Sequence, residues 1–508
     1  MSNAIRHLVI VGGGTAGWLA ALMLRRSAND FGHDLAVTVV ESSRIPTIGV
    51  GEGTTAVFKA VLAHLGIDEA EFLRETRGTI KYGIRHKDWR RPGVTYDGPI
   101  DDPHALVQGA GGSEFLNVYS VAAGRPVSRL HMFDILMKAD LSPFQTDNSG
   151  GFTPVSPYHH AYHIDAAAVG RFLRSKATDI DVVDAVVEGV ERNAESGNIE
   201  ILRLEDGGRI AGDFFLDCTG FRRQLIGKEM DGGWVSYADE LPVNRAMPFW
   251  LDIDDNAEIP TYTLAWARDA GWMWQIPTQD RLGCGYVYSD QFLSPDDAKA
   301  EIETALQRSI EVRADIRMSV GRLARPWVKN CLALGLSAGF LEPLEATSIH
   351  GTVVQLLVLA EDYMKPGFAP GPDAADAYNQ RIGRQIDDFR TFINTHYVTE
   401  RDDTPFWRHV RESCIHPETR ERLSTWRDHM PKAEDFERFL SGFAHVEAQL
   451  YYPVLDGLGL LDPTVARREM DQSPRLKKKA REIADGMRGQ FTEAARRAVG
   501  HRSYLSRL

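Results

Sequence analysis

A short strand that breaks into a glycine turn and then a helix opens this chain, and no other feature constrains its fold as strongly. His7–Val11 is an apolar run rich in β-branched residues, followed by Gly12-Gly13-Gly14-Thr15-Ala16-Gly17-Trp18. Trp18 to Arg26 is a helical stretch, and Leu35 to Val40 is a second apolar strand ending on the acid Glu41. Strand, turn, helix and strand in that order form a βαβ unit. In such a unit Gly12 permits the tight turn, Gly14 lets the backbone approach a pyrophosphate, and Gly17 lets the helix pack close to the strand. Thr15 and Ala16 open the helix, whose N-terminus faces the phosphates. Glu41 stands near the offset at which an acid accepts from ribose hydroxyls. A dinucleotide-type cofactor is therefore expected rather than a purely structural turn.

The remaining bulk properties mostly exclude. The 508 residues suggest several domains' worth of core. A net charge of −13 argues against a general nucleic-acid binder, which needs clustered positive charge. Four scattered cysteines, Cys218, Cys284, Cys331 and Cys414, form no C-x-x-C pair, so a reducing compartment without disulfides or zinc is expected. With no apolar run of membrane-spanning length, the reading is a soluble, cytoplasmic protein without a membrane partner.

Along the chain, residues 42–60 hold three glycines and a proline, which argues against a regular helix there. Residues 90–160 are rich in Gly, Pro and Asp and give no clear pattern. Residues 181–220 alternate and end in the buried strand Phe214–Asp217 before Cys218-Thr219-Gly220. Strands continue through 243–290, and Cys331–Gly335 reads as the last buried strand. From about 350 the pattern is helical. Arg475, Lys477, Lys478 and Lys479 read as a solvated helix face. His159, His160 and His163 cluster, and alternation puts His159 and His163 on one face of a strand, but no third ligand is evident, so no metal site is expected and Asp165 reads as a helix N-cap.

Gly271-Trp272-Met273-Trp274-Gln275-Ile276-Pro277 is the second informative stretch. Its W-x-W-x-I-P pattern, with the glycine turn, resembles the flavin-dependent halogenases, and the likeness to their tryptophan-halogenase branch extends over most of the chain. The resemblance implies an α/β, FAD-binding Rossmann-like fold of the flavin monooxygenase type with a mainly helical C-terminal region. Residues 1–350 would form a non-contiguous, box-like module for FAD binding and halogenation, and 351–508 a helical substrate-binding region packed on it. Asp217-Cys218-Thr219-Gly220 resembles the turn that returns beneath the first glycine loop, and Leu336 falls in Gly335-Leu336-Ser337-Ala338, where flavin hydroxylases carry Gly-Asp-Ala. Ile48, Gly49, Val50, Gly51 and Glu52 resemble the strap over the flavin ring. Trp272, Trp274, Ile276 and Pro277 serve mainly as the family marker, since alternating aromatics in a strand are usually core.

By resemblance, Lys81 in Thr79-Ile80-Lys81-Tyr82-Gly83 is the lysine that reaches the substrate, either holding hypohalous acid by a hydrogen bond or capturing halogen as a haloamine. Glu345 in Glu342-Pro343-Leu344-Glu345-Ala346-Thr347-Ser348 matches the acid facing it, with Glu342 the structural alternative. Thr347 and Ser348 match the pair whose amides bind halide, with Ser348 in place of the usual glycine. The implied reaction is FADH2- and O2-dependent halogenation of an electron-rich, indole-type aromatic by hypohalous acid, with chloride or bromide as co-substrate and a separate flavin reductase supplying reduced FAD. A homodimer is left open. Flavin-dependent aromatic hydroxylation is the rival activity. The set that clamps the tryptophan amino-acid group in the family is not found around Glu437–Glu447, and the family's pocket His is replaced by Asn117, with Tyr119 two positions on. A zwitterion needs charged partners once out of water, so free tryptophan is not the expected substrate.

Overall fold

The computed structural model describes residues 5–45, 51–102, 114–367, 370–436 and 446–508. The chain groups into two compact units, each assembled from three segments. The first comprises Met1–Thr76, Ile164–Tyr237 and Ser319–Asp387, and the second Arg77–His163, Ala238–Met318 and Asp388–Leu508. The sequence position 350 falls inside the last segment of the first unit.

The first unit is built on a six-stranded sheet in the order Asp181–Asp184, Ala36–Glu41, His7–Val11, Phe214–Asp217, Cys331–Ala333, Trp327–Val328. Its first five strands run parallel and only the last pair is antiparallel. Parallel strands are covered on both faces, which is why they read as continuous apolar runs. Val9, Val11, Val40, Phe215 and Ala333 pack with Leu225 and Ile226 in one cluster. The helix Thr15–Asp30 buries Trp18, Leu19, Ala20, Met23 and Leu24. Two three-stranded sheets complete the unit: Val187–Arg192, Ile199–Leu204 and Arg209–Ala211; and Trp234–Ser236, Gly321–Leu323 and Gly339–Phe340. That last strand is half-buried and follows Cys331–Ala333, which is wholly buried.

The second unit carries a seven-stranded sheet in the order Ile316–Arg317, Arg245–Asp252, Arg281–Tyr288, Gly271–Pro277, Tyr262–Ala267, Gly83–Lys87, Thr95–Pro99. Only Tyr262–Ala267 and Gly83–Lys87 pair in parallel. Side chains alternate across it. Met273, Tyr286 and Phe249 join Ala298 and Ile302 of the helix Pro295–Leu306 in one cluster. Trp272 and Trp274, on the opposite side of the strand from Met273, form their own aromatic contacts.

Three readings are corrected. The helix Val57–His64 begins inside the stretch judged non-helical, because the glycines that argued against it end at Gly53, before the helix starts. The unpatterned 90–160 region holds the strand Thr95–Pro99 and the helices Phe115–Ala122 and Met132–Lys138. These helices are short and almost wholly buried, so no amphipathic stripe marks them. His159 is exposed and precedes the strand Ala161–Asp165, so it shares no strand face with His163.

Candidate functional site

In the first unit the three glycines of the opening turn have separate steric reasons. Gly12 has φ +115°, and a Cβ there would stand 2.3 Å from the Cys218 carbonyl oxygen. A Cβ on Gly17 would stand 1.8 Å from the Gly12 carbonyl oxygen, so only glycine lets the helix start this close to the strand. A Cβ on Gly14 would meet nothing within 4 Å. The Gly14 position is thus open, at a helix N-terminus that no side chain caps. An open glycine edge next to uncapped N–H groups fits a pyrophosphate. Thr15 anchors the turn by donating to the Ala166 carbonyl at 3.3 Å. Glu41 closes the second strand, accepts from the Trp18 indole N–H at 3.3 Å and pairs with Arg174 at 2.8 Å. These bonds place its carboxylate beside Gly13, where a Cβ would meet Glu41 Oε2 at 1.6 Å.

The returning turn is organised by Asp217, which is fully buried. Its Oδ1 accepts from the Thr219 N–H at 3.0 Å, the Thr219 hydroxyl at 2.6 Å and the Ser337 hydroxyl at 3.2 Å. Its Oδ2 accepts from the N–H groups of Leu225 and Ile226, both at 2.8 Å. Five donors surround this carboxylate, which fixes Gly220 (φ +63°) and ties it through Ser337 to the turn carrying Leu336. A Cβ on Gly335 would stand 3.0 Å from the Ala16 Cβ, so the first and third turns lie in contact. Sequence reasoning found the Asp-Cys-Thr-Gly turn but not the donors outside it, the Leu225 and Ile226 amides and the Ser337 hydroxyl, the last of which is remote along the chain.

Gly51 and Glu52 lie on the short strand Gly51–Gly53; Ile48, Gly49 and Val50 are outside the described residues. Burial, with the charge of Asp165 adding to it, pushes the Glu52 carboxyl up to about 7. Asp165 caps the helix Ala166–Lys176 as its sequence position suggests, accepting from the Ala168 N–H at 2.9 Å.

Glu345 sits on a backbone of unusual conformation. It has φ +64° and ψ 12°, and Ala346 follows with φ +55° and ψ 32°. Two successive left-handed non-glycine residues each cost about 1–3 kcal/mol, a strain that clusters at functional positions. The pair turns the chain abruptly into the helix Thr347–Val358, whose N-terminus has no side-chain cap. Thr347 is buried and Ser348 half-buried in its first turn. Three residues earlier Glu342 is buried at 1% exposure, whereas Glu345 is partly accessible. Of the two acids of this motif, Glu345 is the one that a small molecule can reach.

In the second unit Trp272 and Trp274 lie on one face of the strand Gly271–Pro277 with ring centroids 6.4 Å apart, and Trp272 is 6.0 Å from Trp89. Trp274 faces Gly285 across the antiparallel ladder, and a Cβ there would stand 2.1 Å from its ring. Glycine within a strand signals such a close approach, and Gly283-Cys284-Gly285 carries that signal in the sequence. Neither indole N–H has a hydrogen-bond partner among the described residues. Ile276 and Pro277 complete the strand, both buried.

Lys81 ends the three-residue strand Thr79–Lys81 and is only 2% exposed, against the rule that a lone lysine is a surface residue. The strand pairs antiparallel with Ala161–His163, Lys81 opposite Ala161. His163 links the layers: its Nε2 lies 3.0 Å from the Thr263 hydroxyl and its Nδ1 3.3 Å from that of Thr79, which donates to the Pro277 carbonyl at 2.7 Å. Burial first, then the neighbouring charge of Lys81, holds His163 well below the usual histidine range. Asn117 is fully buried and donates to Gln449 at 3.0 Å. Tyr119 lies on the same helix.

Known proteins match the chain over nearly its whole length. The tryptophan halogenase family model matches residues 7–471. The chain belongs to the tryptophan halogenase family. Tryptophan 6-halogenase SttH of Streptomyces toxytricini is 31% identical, over 97% of this chain and 98% of its own length. Tryptophan 7-halogenase RebH of Lentzea aerocolonigenes is 33% identical, over 91% of each chain. The structure of Xcc4156, a flavin-dependent halogenase from Xanthomonas campestris, is similar with a TM-score of 0.85 and 31% identity, covering 99% of this chain and 98% of that one. As a tryptophan halogenase family member the chain is a flavin-dependent enzyme, and the hydroxylase alternative is set aside. Reduced flavin reaches halogenases of this family from a separate source. No helix among the described residues is long and apolar enough to cross a membrane.

Proposed function

We propose that this enzyme halogenates an electron-rich aromatic of the indole class with chloride or bromide, and that Lys81 and Glu345 act on the halogenation step. The observation that carries the reading is the burial of Lys81. A buried ammonium group starts from a fixed place largely out of water, where a hydrogen bond to a small reagent is stronger than at the surface. FAD fits the first unit: Gly12, Gly14, Thr15, Ala16 and Gly17 would hold its pyrophosphate, Glu41 its ribose, and Gly51, Glu52, Asp217, Gly220 and Leu336 would line or shape its cleft. When bound in reduced form it supplies, with O2, the oxidising power that turns halide into hypohalous acid. The uncapped first turn of Thr347–Val358, with Thr347 and Ser348, is suited to holding the halide, since unbonded N–H groups and a partial positive charge favour an anion.

At the reaction itself the Lys81 ammonium donates a hydrogen bond to the oxygen of hypohalous acid, leaving the halogen electrophilic. The aromatic ring attacks the halogen, the O–halogen bond breaks, and the oxygen leaves as water with a proton from the Lys81 ammonium, which regains one from solvent. Glu345 accepts the ring proton, restoring aromaticity. The balance is one aromatic C–H plus hypohalous acid giving a C–halogen bond and water. Of the relatives named above, SttH and RebH are tryptophan halogenases, and Xcc4156 is a flavin-dependent halogenase. In this chain the tryptophan amino-acid clamp is missing from the sequence around Glu437–Glu447, so a neutral indole, or an indole within a larger molecule, is the expected substrate. Residues 437–445 themselves lie outside the described residues.

The test supplies FAD, a flavin reductase with its nicotinamide donor, O2 and bromide to the enzyme with a panel of indoles, phenols and free tryptophan. A bromine isotope doublet in the mass spectrum of a neutral indole product, exceeding that from free tryptophan, is expected. Oxygenated products indifferent to bromide would overturn the reading.

A further inference from the structure

The C-terminal turn of the chain meets the strand that carries Lys81. The Ser142 N–H donates to the Val499 carbonyl at 2.9 Å, the Val499 N–H to Phe144 at 3.0 Å, and the His501 N–H to Asp140 at 3.0 Å. Leu141 and Gly500 form an antiparallel bridge between the same segments. The helix His501–Leu505 is then fixed by Glu258, which accepts from the Arg502 N–H at 2.8 Å, and by Tyr504 stacked on Phe144 at 4.8 Å. These anchors deliver one fully buried side chain, His501, to the Lys81 strand.

His501 is bonded through both ring nitrogens. Nδ1 lies 2.8 Å from the Ile259 carbonyl and therefore carries the proton it donates, and Nε2 accepts from the Ile80 N–H at 3.1 Å. On the same strand edge the Tyr82 N–H donates to the Thr261 carbonyl at 2.7 Å. His501 thus stands where the carbonyl of a further strand would stand, and Lys81 is held between two anchored amides. The neutral imidazole this requires agrees with burial, which lowers His501 to about 4; the groups facing it include His160 and Arg502.

We infer that His501 is a positioning residue for Lys81: by bonding the Ile80 amide, the end of the chain sets the peptide from which the Lys81 side chain is aimed. This rests on the proposed role of Lys81. A flexible lysine can hold a reacting atom only if its stem starts from a fixed place, and misplacement by about 1 Å costs on the order of a hundredfold in rate.

Three variants test it. His501→Phe keeps the ring and removes both bonds. His501→Asn keeps a donor for Ile259 but falls short of Ile80. His501→Gln can reach with an acceptor. With saturating bromide, the Phe and Asn variants should lose on the order of ten- to a hundredfold in kcat for halogenation. KM for indole and the rate of flavin oxidation should stay within about twofold, and the Ile80 amide should exchange hydrogen at least about tenfold faster, as expected for a broken bond. His501→Gln should restore most of the rate. Folded Phe or Asn variants that halogenate like the wild type would overturn the inference, as would equal losses of halogenation and flavin oxidation, which mark a general structural role. If the Phe variant does not fold, the Asn variant decides. Lys81→Ala, run alongside, separates the two readings: normal halogenation by that variant would remove the role of Lys81 and this inference with it, whereas its loss with normal His501 variants removes the inference alone.

Discussion

Replacing Gly285 by Ala tests whether the tryptophan strand is held by shape. The new methyl would stand 2.1 Å from Trp274 Cη2 and 2.2 Å from Cζ2, whereas ordinary contact begins at 3.4 Å. The indole must therefore retreat by more than 1 Å within a sheet whose neighbours Trp272 and Trp89 are themselves buried. Overpacking of this kind costs about 1–3 kcal/mol. The clashing atoms belong to the outer ring of the indole, which phenylalanine lacks. Trp274→Phe alone should cost about 1–2 kcal/mol through the space it empties, and the added methyl fills part of that space. The double variant should accordingly be at least about 1 kcal/mol more stable than the sum of the single losses predicts. Urea unfolding followed by far-ultraviolet circular dichroism measures this, provided the slope is unchanged among the four proteins. Losses that add within about 0.5 kcal/mol, or a Gly285→Ala protein as stable as the wild type, would refute the reasoning.

Gly17→Ala should weaken FAD binding at least about tenfold in a fluorescence titration, since its Cβ would stand 1.8 Å from a backbone oxygen; Gly486→Ala, where a Cβ meets nothing, should leave affinity unchanged. Asp217→Asn turns an oxygen that accepts from fixed N–H groups into a donor, and should cost about 2–4 kcal/mol in unfolding stability while loosening the flavin. His501 is lowered to about 4 from an ordinary 6.5, so its stabilising contribution is complete above pH 6.5 and is lost as pH falls toward 4, about 3 kcal/mol in all. Glu52, raised to about 7, has the opposite sign: its contribution is complete below pH 4.5 and is lost as pH rises through 7. The two nearly offset one another, so the effects should be seen as differences from wild type: the stability deficit of His501→Gln shrinks on acidification, and Glu52→Gln gains on wild type as pH rises.

Patterns with a short period were legible in the sequence, and long-range convergence was not. The glycine turn, the parallel strands and the Asp165 cap are each set by residues close together in the chain, and the structure places them where the sequence indicated. The helices Phe115–Ala122 and Met132–Lys138 were illegible because nearly every side chain is buried, which erases the stripe that reveals a surface helix. The burial of Lys81 was equally hidden: nothing near it in sequence shows that Ala161–His163 pairs with its strand or that His501 bonds the adjoining Ile80 amide. His501 carried no signal, since its partners Ile80 and Ile259 are hundreds of residues away. The strained turn at Glu345 and Ala346 left no trace either, because neither residue type favours a left-handed backbone.

The most direct measurement of the central claim compares halogenated product with flavin oxidised in Lys81→Ala, in the presence of reduced FAD, O2, bromide and an indole. The account predicts flavin oxidation near the wild-type rate with brominated product reduced at least about a thousandfold, the scale of removing a group that stabilises charge in a transition state. Brominated product at the wild-type ratio to flavin oxidised would contradict it.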